Sequence, residues 1–211
     1  MNKIVACGIP RSGSTLVWLL LQKILDRQVI KAHPASWSPE PCELIVSSIR
    51  HPYDTAASCF RTRIVGKGDG SLENSQCTKQ GLTAELNMMN SNFEALKLWI
   101  QKYPGKVVIL RYEEFFDNFN VIFHMIKEQL GVDVPTSQRK ALIQKYSFES
   151  NRKKSLQINP GESIERMGTS HVAVGVPGSW KSIIPFWGYD LMKKWCDPIC
   201  KEWGYMKYEN Q

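Results

Sequence analysis

The sequence predicts a three-layer α/β domain, a central parallel sheet with helices on both faces, and two observations carry that prediction. Four short runs are rich in Val and Ile without polar alternation, the mark of strands buried on both sides. They are KIVACGI (3–9), QVIKA (28–32), ELIVSSI (43–49) and KVVILR (106–111). Helical patterns lie between them, and alternating strands and helices build parallel sheets through crossover connections.

Each helix has its own signal. Residues 14–25, STLVWLLLQKIL, are apolar nearly all round, as a helix pressed against a sheet must be. PYDTAASCF opens another, with Pro52 near its N-terminus. Residues 84–101 put Leu86, Met89, Phe93, Leu96 and Ile100 on one stripe; 118–130 do the same with Ile122, Phe123, Ile126 and Leu130. Trp187, Trp195 and Trp203, eight apart, read as a C-terminal helix packing on the sheet. Two stretches break the pattern. Residues 66–81 are polar and Gly-rich and read as a long loop, and 151–181 show little periodicity. Loops of this length are lids or binding loops, or else disordered.

The 211 residues fit a single domain spanning 1–211, and 43% hydrophobic content with seven Trp can fill a core. A net charge of +7 suits a polyanionic ligand such as a nucleotide, and by charge alone also nucleic acid or an anionic membrane. The basic residues are spread along the chain, apart from NRKKS at 151–155. With no zinc-type Cys/His spacing and no aromatic-rich RNA signature, no nucleic-acid partner is expected. The longest apolar run, LVWLLL, falls far short of a membrane span, so no membrane partner is expected either. Six Cys at no framework spacing and no secretory signal predict reduced thiols in a cytoplasmic protein.

The chemistry concentrates in GIPRSGST, residues 8–15. A glycine follows the first strand, a second stands five residues on, and a helix begins at about Ser14. That arrangement aims backbone N–H groups and a helix N-terminus at one anion. It has the frame of the nucleotide P-loop G-x-x-x-x-G-K-[ST], but Ser14 stands where that pattern has its lysine, and Arg11 is the nearby cation. The missing lysine, and Arg50 where a following strand would often offer an acidic Mg²⁺ ligand, count against ATP hydrolysis. An anion bound without a metal fits better.

These residues resemble the sulfotransferases that use 3′-phosphoadenosine 5′-phosphosulfate (PAPS). PRSGST resembles the family's 5′-phosphosulfate loop, and RHPYDTAAS (50–58) its 3′-phosphate motif, an Arg with a Ser eight positions later. VIKAHP (29–34) is similar to the K-x-H segment whose His is the family's base. VILRYEEF (108–115) resembles the stretch with an adenine-side Tyr, YSFES (146–150) a T-S-F segment beside the adenine, and GVPGSWK (175–181) the tail of the R-K-G-x-x-G-x-W-K loop. The six segments occur in family order. Two departures stand out. The family's C-terminal Arg-Lys aligns with Ala173-Val174, leaving His171, Arg166 or Lys153 as candidate substitutes, and its adenine-stacking Trp is Leu16 here.

The resemblance implies a P-loop-like fold and sulfuryl transfer from PAPS to a hydroxyl or amine, with adenosine 3′,5′-bisphosphate as product and no metal required. It implies His33, Lys31 and Arg11 as catalytic residues. It implies Arg11, Ser12, Gly13, Ser14, Thr15, Arg50, Ser58, Tyr112, Ser147 and Phe148 as donor contacts. Independently of it, alternation turns Lys31 and His33 to one face of their strand end, and a histidine suits general-base work near neutral pH. Two other readings stay open, a P-loop kinase of a small metabolite and a non-catalytic nucleotide-binding module. The acceptor, a small molecule or a carbohydrate, is not legible in the chain, and neither is the oligomeric state.

Overall fold

The computed structural model describes residues 3–37, 42–65, 78–157, 163–164, 167–168 and 176–206. Strands β1 (Ile4–Cys7), β2 (Val29–Ala32), β3 (Leu44–Ile49) and β4 (Val107–Arg111) pair in parallel in the order β2-β1-β3-β4. All four lie within the runs read as buried strands. Helix α1 (Ser14–Leu25) joins β1 to β2, and α2 (Pro52–Val65) and α3 (Lys79–Lys102) lie between β3 and β4. After β4 come α4 (Tyr112–Phe115), α5 (Asn120–Leu130), α6 (Thr136–Tyr146) and α7 (Phe148–Gln157). A two-residue ladder, β5 (Ser163–Ile164) with β6 (Met167–Gly168), and α8 (Tyr189–Glu202) complete the order.

Strand alternation sorts the core into layers. Ile4, Ala6, Leu44, Val46 and Leu110 face α1 and α5, packing with Val17, Leu20, Leu21, Ile122 and Ile126. Ile49 and Ile109 join a second cluster with Phe60 of α2, Leu86 and Phe93 of α3, and Met192 and Cys196 of α8. A sheet buried on both faces cannot show polar alternation, which is why its strands read as continuous apolar runs.

Three elements differ from the sequence reading. Helix α3 starts at Lys79, not 84, because Thr78 caps it: its hydroxyl accepts from the Gly81 N–H at 3.0 Å. A cap here overrides the glycine that suggested a loop; residues 66–77 lie outside the described residues. Part of the aperiodic stretch is helical, since α7 runs to Gln157. Its described side chains turn Asn151 inward while Arg152 and Lys153 stay exposed, too little to make an apolar stripe. The three tryptophans do not share a helix face either. Eight residues advance a helix by about 80° beyond whole turns, so the spacing cannot keep one side. Trp187 precedes α8 and meets Phe60 edge-on, whereas Trp203 follows α8 and packs on Phe93 of α3. Helix α8 itself packs chiefly against α2 and α3.

Candidate active site

The C-terminal ends of the parallel strands meet at one edge of the sheet, where ligands bind in open α/β folds. The 8–13 loop is built there by its own backbone. The Ile9 N–H donates to Ser48 O at 2.9 Å, the Ser12 N–H closes a turn on Ile9 O at 3.2 Å, and the Val17 N–H makes the first helical bond to Gly13 O at 3.1 Å. The chain passes so close to β3 that a Cβ on Gly8 would collide with the Ser48 hydroxyl and sit 2.7 Å from Ser14 Cβ. Gly13 has φ 77° and a Cβ there would lie 2.9 Å from the Tyr112 ring. Only glycine suits both demands at position 13. Arg11 also takes a left-handed conformation, φ 68°, a cost that loops accept where a side chain must be aimed.

Gly13 is the N-cap of α1 and supplies no side-chain acceptor, and no acidic residue sits in the first turn. The positive end of that helix is therefore open to an anion. Ser14 and Thr15 begin the helix as the sequence predicts. Ser12 has a different job. Its hydroxyl is fully buried, 2.6 Å from Ile9 O, 2.7 Å from Ser48 O and 2.8 Å from Ser48 Oγ, which ties the loop to β3. Its side chain and its backbone N–H are both committed to the fold.

Lys31 and His33 both turn to the loop. The Lys31 ammonium donates to Thr15 Oγ1 at 2.5 Å and lies 5.8 Å from the centre of the Trp18 ring. His33 Nδ1 is 2.7 Å from Gly8 O. A carbonyl only accepts, so Nδ1 carries the proton and Nε2 of the neutral ring holds the lone pair. Burial holds this imidazole below its ordinary value of 6.5, and the Lys31 charge adds to that, while the Gly8 bond opposes it. Its lowered value keeps the ring neutral at pH 7.

Arg50 follows β3 and is buried; its guanidinium lies 4.6 Å over the Tyr112 ring and donates to Val176 O at 3.4 Å. Glu43 is paired with Arg27 at 3.2 Å. Ser58, two turns into α2, accepts from Arg11 Nε at 3.2 Å, so the loop and the second anion motif touch. Burial first, then the nearby Arg61 and Arg50 charges, pushes the Arg11 guanidinium down to about 10, and it stays charged at neutral pH. Tyr112 contacts Gly13, stacks on Phe116 at 5.6 Å, and Phe116 meets Phe148 edge-on at 6.4 Å. An aromatic row therefore runs from the loop to α7. Leu16, where the resemblance has a Trp, is a half-buried residue of α1 that packs against the core.

Ser147 has a structural partner of its own. It caps α7, accepting from the Ser150 N–H at 3.2 Å. Of the candidate substitutes for the lost Arg-Lys, Lys153 is exposed on α7, and Arg166 and His171 lie outside the described residues, as do Ala173 and Val174. Two residues were missed by sequence reasoning. Asp54, buried in the first turn of α2, accepts from Gly178 N at 2.7 Å and Trp180 N at 3.1 Å, holding the C-terminal loop over the cleft edge. Its position two after Pro52 was the available signal. Arg61 lies one turn beyond Ser58, a spacing that faces it the same way. Among the described residues no group of three or more His, Cys, Asp or Glu is gathered as for a metal ion, and no helix is long and apolar enough to cross a membrane.

No protein-family model and no curated protein matches the chain. Solved structures do. A mouse sulfotransferase, SULT7A1, complexed with PAP, the bisphosphate product of PAPS, is 17% identical, over 92% of this chain and 84% of that one, with a TM-score of 0.62. Retinol dehydratase in complex with androsterone and the inactive cofactor PAP is 16% identical, over 100% and 84%, with a TM-score of 0.66. The same enzyme with retinol and PAP gives 15%, 99% and 84%, again at 0.66. The chain has the sulfotransferase fold. That likeness confirms the fold class read from the strands and helices, a parallel sheet between helix layers of P-loop NTPase-like form.

Proposed function

We propose that the chain is a PAPS-dependent sulfotransferase acting, as a single cytoplasmic domain, on a hydroxyl or amine of a small-molecule or carbohydrate acceptor. The observation that carries it is the pair of cation sites at one cleft. Arg11 and the open N-terminus of α1 make one, and Arg50 with Tyr112 makes the other. A nucleotide with phosphates at both 3′ and 5′ positions needs two such sites; ATP needs one. Solved proteins of this fold were crystallised with that bisphosphate, and one of them, retinol dehydratase, also with the small hydroxylic molecules retinol and androsterone.

In this reading the 8–15 backbone, Arg11 and Lys31 hold the 5′-phosphosulfate, with Arg50 and Ser58 on the 3′-phosphate. Tyr112 and Phe148 line the adenine side. Of the remaining candidates, Gly13, Ser14 and Thr15 contribute through N–H groups and the helix end, Ser12 holds the loop that presents them, and Ser147 supports Phe148 as a cap. His33 Nε2 takes the proton of the acceptor hydroxyl as its oxygen attacks sulfur. The sulfur–oxygen bond to the phosphate breaks with its electron pair left on the phosphate. Lys31 and Arg11 stabilise that developing charge from fixed positions, where electrostatic preorganisation is most effective.

Incubating the protein with PAPS and a panel of phenols, alcohols, sugars and amines, and following release of adenosine 3′,5′-bisphosphate with acceptor sulfation, tests the reading. Sulfated product is expected, with no metal added. Phosphorylated product from Mg·ATP would establish the kinase reading instead. Bisphosphate binding without transfer to any acceptor would leave a binding module.

A further inference from the structure

The chain that follows α8 packs behind the residues carrying Arg50 and Tyr112. Gly204, at φ 66°, turns it back, and the Tyr205 N–H donates to Cys200 O at 2.8 Å. This hook lays Met206 O 2.9 Å from His51 Nε2 and the Tyr205 ring 5.1 Å from the His51 ring. The Arg111 guanidinium lies 4.5 Å over Tyr205 and donates to Trp203 O at 2.7 Å. At the centre is Glu113. Its Oε1 accepts the backbone N–H of His51 at 2.7 Å, and its Oε2 accepts from the Tyr205 hydroxyl at 3.4 Å.

The placement matters because of where the sheet stops. The β3–β4 ladder ends at Ile49 and Arg111, one residue before Arg50 and Tyr112 respectively. Beyond that point the ladder no longer fixes the spacing of the two chains. The Glu113 carboxylate spans the gap, from the residue after Tyr112 to the residue after Arg50. A contact as directional as a guanidinium over a ring depends on such support, since binding groups must be held to within about 0.5 Å.

We propose that Glu113, braced by Tyr205 of the C-terminal hook, is a positioning residue for the 3′ end of the donor site. It fixes Arg50 against Tyr112 and so sets the preference for a nucleotide bearing a 3′-phosphate. The inference rests on the donor reading of the cleft.

Titration calorimetry on the full chain with adenosine 3′,5′-bisphosphate and with AMP, which lacks the 3′-phosphate, tests it through the ratio of the two Kd values. Glu113→Ala should cut that ratio by about tenfold and Tyr205→Phe by about two- to threefold, the scale of one lost hydrogen bond. Glu113→Gln keeps an acceptor for the His51 N–H and should restore most of the ratio. Equal weakening of both ligands, or an unchanged ratio, overturns the proposal, because a merely structural role would not distinguish them. Should Glu113→Ala fail to fold, Tyr205→Phe decides alone, since it keeps the ring and removes only a hydroxyl. A wild type that does not prefer the bisphosphate overturns the donor reading and this inference with it, and that result appears before any variant is made.

Discussion

The two ends of the cleft are built in different ways. The 5′ end is local: His33 meets Gly8 across 25 residues and Lys31 meets Thr15 across 16. The 3′ end is assembled from distant chain. Asp54 holds Gly178 across 124 residues, Arg50 reaches Val176 across 126, and His51 meets Met206 across 155. Closing long loops costs more chain entropy, and segments joined only by them open more readily. The 5′ end is thus expected to serve chemistry from a rigid frame. The 3′ end should govern nucleotide affinity and depend on how the C-terminal segment docks.

The strongest way to break that division is His33→Ala. Turnover should fall by roughly 10²–10⁴-fold, the range for one positioned base, while Kd for the bisphosphate stays near wild type. Loss of affinity in step with turnover would make His33 a packing residue and turn attention to Glu85, a buried carboxylate on α3. The pH profile sharpens the same point. If His33 is the base it works as the neutral form, and its value is held below 6.5, so kcat/KM should climb with pH on a limb centred below 6.5 and be flat from pH 7 upward. A limb centred above 7 would contradict the burial of this ring.

Arg50→Ala tests the other end. Removing a charge-assisted contact should weaken the bisphosphate by about 1.5–3 kcal/mol and leave adenosine 5′-phosphosulfate, which has no 3′-phosphate, nearly unchanged. Equal losses, read by calorimetry, would show general damage. Gly13→Ala should lower stability by about 1–3 kcal/mol in denaturant melts, because it adds a methyl against Tyr112 and Phe115 at a left-handed φ. It should weaken both nucleotides alike, since Gly13 abuts both ends of the cleft. Asp54→Ala removes a buried carboxylate that accepts from the Gly178 and Trp180 N–H groups, so stability should fall by about 1.5–3 kcal/mol, with protease sensitivity rising near Gly178. Unchanged cleavage there would mean that other contacts dock the C-terminal loop.

The same contrast explains what the sequence could disclose. Strands buried on both faces write themselves as apolar runs, and the loop, Lys31 and His33 lie within short segments whose spacing carries their meaning. Arg50 and Ser58 were nominated for the same reason. Glu113, Asp54 and the hook at 203–206 were not, because each matters through a partner about 90 or more residues away that no local pattern indicates. Ser12 shows another limit of a local pattern. Its place in the motif nominated it as a donor contact, and the close approach of the loop to β3 buries its hydroxyl against Ser48. The α3 start and α7 were missed because single capping hydroxyls, Thr78 and Ser147, set them where periodicity is weak.

The central claim is that this cleft holds a nucleotide at two phosphate positions without needing a metal. Thermal melts with adenosine 3′,5′-bisphosphate and with Mg·ATP, each repeated in EDTA, test it most directly. The account predicts that the bisphosphate stabilises the fold more, by about 2.7 kcal/mol at a hundredfold excess over Kd, and that EDTA leaves this unchanged. Equal or greater stabilisation by Mg·ATP, abolished by EDTA, would contradict it.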